Sequence, residues 1–324
     1  MMCCVSILFP VIIKMKKGGP QVFIPAYRKM LQKGELENKS VVLSERLSRC
    51  DICPRNCGVN RIAGEVGICG VGERVWVSSY GPHHGEEDPL RGVYGSGTIF
   101  FSGCNLNCLY CQNADISQKL SGEEVSTRVL ASMMLELQGM GCHNINLVSP
   151  THVVPQIVEA ILLATADGLT LPVVYNSGGY DAISTLQLLE GIIDIYMPDM
   201  KYSDENTGRD LSGIPSYPMV NQAAVLEMHR QVGDLKISAA GVAERGLLIR
   251  HLVLPNGLAG SQEVLRFIAE QVSADTYLNI MDQYRPAYQA YCKNDLNRMI
   301  TRAEYLDLIH QAESLGMTRL DKQS

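Results

Sequence analysis

No cluster of lysine and arginine occurs anywhere in the sequence, and the formal net charge is -6. Neutralising a phosphate backbone needs such a cluster, so nucleic acid is excluded as the main partner. The apolar opening, residues 1–13, falls short of the roughly 20 residues a membrane-spanning helix requires. It also lacks a preceding basic residue and a following small-residue cleavage site, so it does not read as a signal peptide. The expectation is a ragged start, with Met15 or Met30 as the initiator, and no membrane partner. Internal repeats and low-complexity tracts are missing too, which excludes solenoids and disordered arrays.

The 324 residues are 46% hydrophobic and 19% charged, enough for one large α/β domain or two ordinary ones. Eleven cysteines is a high count, and they are clustered: four from Cys50 to Cys69 and three from Cys104 to Cys111. A secreted disulfide scaffold is usually shorter and lacks a large apolar body, so the clusters point to metal in a cytoplasmic protein.

The chain divides into three stretches. Residues 1–40 read as a loose leader. Residues 41–95 are rich in glycine and cysteine and read as a metal-stapled, loop-rich extension. From 96 to 324, short runs of β-branched residues alternate with amphipathic stretches. Strands are expected at 97–102, 144–149, 172–176, 192–197, 247–254 and 276–281. Helices are expected near 123–140, 153–166, 181–190, 218–233, 260–272 and 301–315. Strands separated by helices make βαβ units and a parallel sheet, and six of them fit a partial or complete (β/α) barrel. Reactive groups in such folds gather at the carboxyl ends of the strands. The unusual residues fall there: Cys104, Thr151 and His152, Gly178 and Gly179, Asp199 and Lys201, then Asp282, Gln283 and Arg285.

Cys104, Cys108 and Cys111 form a C-x3-C-x2-C loop directly after the first strand. One short loop can wrap a [4Fe–4S] cube, with each thiolate on a different iron. Three ligands for four irons leave one iron open, as a catalytic metal site requires. The alternatives are zinc with a fourth ligand from elsewhere, or three unconnected core cysteines. Cys50, Cys53, Cys57 and Cys69 supply a complete tetrahedral set, suited to a closed structural zinc or a second cluster, with a disulfide pair as the alternative.

The segment from Gly103 to Asn113, with Tyr110 as the aromatic residue before the third cysteine, resembles the signature of radical S-adenosylmethionine (SAM) enzymes. Segments 50–57, 141–152, 172–180, 194–202, 250–255 and 279–286 resemble the pyruvate formate-lyase activating enzymes and their relatives. The resemblance implies a partial (β/α)6 barrel of radical SAM type with an N-terminal Cys-rich extension. It also implies a [4Fe–4S] cluster, SAM, and reduced flavodoxin or ferredoxin as electron donor. In the activase family the 5′-deoxyadenosyl radical takes a hydrogen from a glycine of a glycyl radical enzyme. A radical SAM enzyme acting on a small molecule or peptide is the alternative, and a non-catalytic zinc protein a further one.

In radical SAM enzymes the loop after the second strand commonly reads Gly-Gly-Glu and holds the SAM amino group. Here Ser149-Pro150-Thr151-His152 stands in that place, offering a hydroxyl, an imidazole and a helix N-terminus. Thr151 as a helix N-cap is the plainer reading. Tyr110, Asn176 and Gly178 complete the expected SAM contacts on the first strands. Asp199 and Lys201 match an Asp-x-Lys pair that lies near the adenosyl group in the activase relatives. Arg250 and His251 sit on opposite faces of one strand, and His251 is taken as the one facing SAM. Gln283 and Arg285 are candidates for a carboxylate, Arg285 by bidentate contact.

Overall fold

The β-branched runs form one curved sheet, and the segments between them form the helices that cover it. The computed structural model describes residues 23–321. The apolar opening, Cys3, Cys4 and Met15 lie outside the described residues. Nine strands follow in order: β1 (Val75–His83), β2 (Ser96–Phe101), β3 (Glu123–Val125), β4 (Ile145–Val148), β5 (Val173–Ser177), β6 (Ile195–Pro198), β7 (Lys236–Ile237), β8 (Ala243–Leu252) and β9 (Tyr277–Met281).

Strands β2, β4, β5, β6, β8 and β9 run parallel, each beside the next. β1 lies antiparallel on β2, β3 on β1, and β7 on β8. No pairing joins β9 to β2 among the described residues, so the six parallel strands form a partial (β/α)6 barrel, open on one side. The connecting segments carry the helices Thr127–Gly139, Val154–Ala166, Ile183–Leu189, Tyr217–Val232 and Ser261–Phe267. No helix among the described residues is long and apolar enough to cross a membrane.

Strand alternation sorts the side chains. Ile99, Leu147, Tyr175, Tyr196, Leu247 and Ile280 face the helices and build the main core. Val174, Ile195, Met197 and Leu248 face the lumen, where Leu90, Leu235 and Ala243 close one end. Above that plug the lumen becomes polar, with Asn146 in register with Thr98 and Val174. Arg250 is paired with Asn279.

Two expectations change. Residues 26–32 and 35–40, expected as part of a loose leader, lie in the helices Ala26–Gln32 and Glu35–Glu45. Tyr27, Met30, Leu36 and Leu43 of these helices are buried in the main core, and the Tyr27 hydroxyl donates to the Leu171 carbonyl at 2.6 Å. Short helices separated by a glycine carry little periodicity, and tertiary burial stabilises them instead. The boundary at residue 95 is also not a break in packing. β1 pairs with β2 across it, and Ile52, Val71, Val75 and Val77 share the barrel's core. Leu36→Ala is therefore expected to cost about 2–5 kcal/mol in urea denaturation. A loss below about 0.5 kcal/mol would mean that this helix is not docked.

Candidate cluster and cofactor site

β2 ends at Phe101, and the chain turns through Gly103 into the cysteine loop. Gly103 has φ +82°, and a Cβ there would stand 2.6 Å from the Cys69 carbonyl oxygen, so only glycine fits this turn. The loop is tied down by its backbone. Asn107 N–H donates to the Ser212 carbonyl at 3.0 Å, and Leu109 N–H to the Leu211 carbonyl at 2.9 Å. Behind it Leu106, Tyr110, Tyr180, Tyr202, Tyr217 and Tyr284 form a second apolar cluster.

All three thiols reach one cleft of about 180 Å³, shared with Ser149, Asn176, Gly178, Asp199, Lys201 and Arg250. Cys104 Sγ accepts the Leu106 N–H at 3.4 Å. Cys108 Sγ lies 2.9 Å from Ser212 Oγ, and Cys111 Sγ 3.2 Å from Ser117 Oγ. Burial pushes the Cys104 thiol up to about 12, with Cys108 adding to the rise. Burial raises Cys108 as well, against the pull of Lys201 and Ser212. Such thiols hold their protons at neutral pH until a metal replaces them.

Across the cleft Lys201 Nζ bonds Asp199 Oδ2 at 2.6 Å, and Arg250 Nε bonds Asp199 Oδ1 at 3.0 Å. Arg250 also donates to Asn176 Oδ1 at 2.9 Å. Burial alone would raise the Asp199 carboxyl, but Lys201 and Arg250 outweigh it and hold the group below the usual carboxylate range. Burial disfavours charge on Lys201, and Asp199 with Cys108 more than offsets it. The wall opposite the thiols thus carries two cations on one anion. Arg250 lines a second cleft of about 310 Å³ as well, with Glu86, Glu87, Asn279, Asp282 and Gln283. Glu87 is buried there, and burial raises its carboxyl.

Of the sequence-derived candidates, Cys104, Cys108, Cys111, Asn176, Gly178, Asp199 and Lys201 meet at the first cleft. A Cβ on Gly178 would approach Leu106 Cδ1 to 2.5 Å, so the cysteine loop packs directly on this turn. The other candidates are placed elsewhere. Tyr110 points into the tyrosine cluster, with its hydroxyl on that of Tyr202. Thr151 does not cap a helix; its hydroxyl donates to Asp181 Oδ1 at 2.7 Å in a buried network with Tyr175 and Ser177. His152 turns away from the cleft, with Nε2 3.0 Å from the Ser102 carbonyl, and burial lowers it to about 4.

His251 is fully buried between the Met200 carbonyl, 2.6 Å from Nδ1, and Ser261 Oγ, 2.7 Å from Nε2. The inward place on β8 belongs to Arg250, whose guanidinium bonds Asp199 and Asn176 and lines the cleft. Gln283 lines the second cleft, and Arg285 is exposed beyond it. Ser117 and Ser212, which bond the thiols, were not among the candidates. Ser212 comes from a helix, Glu205–Ser212, that the periodicity does not mark.

The nine cysteines among the described residues are free. Among these residues no three His, Cys, Asp or Glu side chains form a ready-made site for one metal ion. Thiolates of a cube each take a different iron, so they stand farther apart than the ligands of a single ion. Three thiols on one wall of an open cleft, with cations opposite, fit a cluster together with an anionic ligand group.

The family model described as a 4Fe–4S single cluster domain matches residues 91–169, the stretch holding β2, the cysteine loop and β4. The chain is similar to an uncharacterized protein of Methanocaldococcus jannaschii, 29% identical over 291 residues, covering 87% of this chain and 79% of that one. Among solved structures it is similar to a radical SAM methyltransferase from Sphaerobacter thermophilus (10% identity, TM-score 0.47, 70% of this chain and 67% of that one). It is similar as well to the FeFe-hydrogenase maturase from Carboxydothermus hydrogenoformans (12% identity, TM-score 0.47, 91% and 67%).

Proposed function

We propose that this chain is a radical SAM enzyme that abstracts a hydrogen atom from its substrate. One observation carries the reading: three thiols of a single loop, at the carboxyl end of the first parallel strand, open onto a cleft walled by Asp199, Lys201 and Arg250. The match to a 4Fe–4S domain over the same stretch supports it. Cys104, Cys108 and Cys111 would hold the cluster. A cluster held there would supply the electron for reductive cleavage of SAM.

The chain's own residues orient the cofactor. Asp199 can accept from a ribose hydroxyl or the SAM ammonium, as acceptor-only carboxylates do. Lys201 and Arg250 fix that carboxylate in its ionised form and offset the charge of the thiolates. Asn176 is held by Arg250 and presents its remaining amide hydrogens to the cleft. The tyrosine cluster keeps water from the back of the loop. Reduced flavodoxin or ferredoxin is the proposed electron donor.

For the hydrogen donor, the activase reading, with a glycyl radical enzyme as partner, is supported by the sequence segments alone. A second reading, a small molecule or peptide held in the barrel, is favoured by Glu87 Oε2 and both amide atoms of Asn146, which are buried and without a partner. Buried polar atoms without partners are rare in native interiors, and a polar ligand would satisfy them.

The test is anaerobic reconstitution, reduction with dithionite and addition of SAM. Equal amounts of 5′-deoxyadenosine and methionine are expected; zinc in place of iron, with no product, would overturn the reading. Ser212→Ala is expected to shift the cluster's potential to a more negative value in an EPR-monitored redox titration. The hydrogen bond to Cys108 sulfur favours the more negative, reduced state. An unchanged potential would mean that Ser212 does not bond the ligated thiolate.

A further inference from the structure

Arg61 is a buried cation without an anion. It is 1% exposed. Its Nε donates to the Gly72 carbonyl at 2.9 Å and its Nη1 to the His152 carbonyl at 2.7 Å. Its Nη2 has no partner, and no salt bridge to it is present among the described residues. A guanidinium cannot escape burial by losing its proton. An uncompensated buried charge costs several kcal/mol, so a negative group belongs beside it.

What stands beside Arg61 is the four-cysteine pocket. Cys50, Cys53, Cys57 and Cys69 line it together with Arg61, Asn105 and His152, and Arg61 Nη1 lies 4.0 Å from Cys50 Sγ. The local fold brings the thiols together. Cys50 and Val59 are tied by backbone hydrogen bonds, Cys50 N–H to the Val59 carbonyl and Gly58 N–H to the Cys50 carbonyl, both 2.9 Å. Asn56 N–H closes a turn onto the Cys53 carbonyl at 3.0 Å, with φ +43° at Asn56. Cys69 arrives from the next turn, where Gly70 N–H bonds the Gly67 carbonyl at 3.0 Å.

Charge decides between the states of these cysteines. Four neutral thiols carry no charge, and neither does a disulfide. Four thiolates outweigh the two positive charges of a zinc ion or of an oxidised [4Fe–4S] core, and leave the site net anionic. We propose that Cys50, Cys53, Cys57 and Cys69 hold a closed tetrathiolate metal centre, balanced by Arg61, that braces the loop carrying Cys104. The bracing is visible in the shared wall. The Cys69 carbonyl packs on Gly103, and Arg55 of the four-cysteine loop donates from Nε to the Asn105 carbonyl at 2.8 Å. Arg55 Nη1 reaches the Gly213 carbonyl at 2.8 Å, next to the Ser212 that contacts Cys108. No carboxylate is needed, and all four coordination positions are filled, so this centre is structural and does not bind SAM.

The test reads metal and thiols, not turnover, and stands apart from the SAM chemistry. The full chain is purified anaerobically, and zinc and iron are quantified for the parent, Cys53→Ser, Arg61→Met, Arg61→Lys and Cys108→Ala. Cys108→Ala is expected to keep a metal that Cys53→Ser lacks: about four irons if the thiols stand apart around a cube, or one zinc if they close onto a single ion. Arg61→Met is expected to lose that metal to a chelator at least tenfold faster than the parent, with Arg61→Lys in between. Thiol titration of the native parent guards against a misfolded variant. Four thiols of residues 50–69 that react in the native parent, or a disulfide among them, would overturn the proposal. So would equal metal in Cys53→Ser and the parent.

Discussion

Cys108→Ala is expected to reduce 5′-deoxyadenosine formation by about a thousandfold or more, to the floor of the assay. Cys108 is the central cysteine of the loop, it is buried, and its Sγ is the one bonded to Ser212. Removing it leaves two thiols, which cannot hold a cube against solvent. The loop itself should survive, because its backbone is fixed by Ser212 and Leu211 rather than by the side chain. The variant should therefore fold, lose iron and lose the product together. Cys292→Ser is the matched control: that cysteine is exposed and does not line the cleft, and its replacement should change neither. Full product from Cys108→Ala would remove the cysteine loop from the chemistry.

The second large effect is expected at Asp199. Asp199→Asn leaves the largely buried Lys201 and Arg250 side chains beside each other with no anion between them. Breaking a buried pair from one side costs about 3–5 kcal/mol. The two cations then move apart, and kcat/KM for SAM is expected to fall about a hundredfold, since the residues that orient the cofactor lose their common anchor. Asp282→Asn, on an exposed acid outside the first cleft, should leave the value unchanged.

The pH dependence has a defined sign. The folded Asp199 carboxyl lies below its ordinary value, so its stabilisation is present above the unfolded value of about 3.9 and declines as pH falls from there toward the folded value. Acid titration of stability should accordingly be flatter below about pH 4 in Asp199→Asn than in the parent. Equal acid limbs, with equal kcat/KM, would mean that the triad neither stabilises nor positions anything.

The parts of the fold legible in the sequence are those written locally. β4, β5 and β9 fall within a residue or two of the expected runs, because β-branched residues bounded by Pro, Gly and Asn mark a buried strand. β8 begins four residues earlier than expected, at Ala243, where pairing with β7 rather than hydrophobicity holds the chain extended. β1 opens on the β-prone Val75-Trp76-Val77, but Gly81 and Pro82 interrupt the signal in its second half; its place comes from the edge of β2.

The candidate site divides the same way. The cysteine loop was legible because its three cysteines lie within eight residues, and Asp199 and Lys201 because they follow a strand end. Arg250 and His251 show the limit. Alternation places them on opposite faces but does not say which face is the lumen; the bonds from Arg250 to Asp199 and Asn176, and from His251 to Met200 and Ser261, decide it. Thr151 and His152 are turned away from the cleft by a short 3-10 turn, which local sequence does not orient. Arg61 gives no signal in sequence either, since its meaning lies in the missing counter-charge of its surroundings.

The central claim is that Cys104, Cys108 and Cys111 hold a cluster with one iron left for SAM. EPR of the reduced, reconstituted protein with and without SAM tests it most directly. Addition of SAM should shift the g-values of a [4Fe–4S]+ signal in the parent, and no such signal should form at this site in Cys108→Ala. A cluster signal that SAM leaves unchanged would mean a closed site, and would contradict the account.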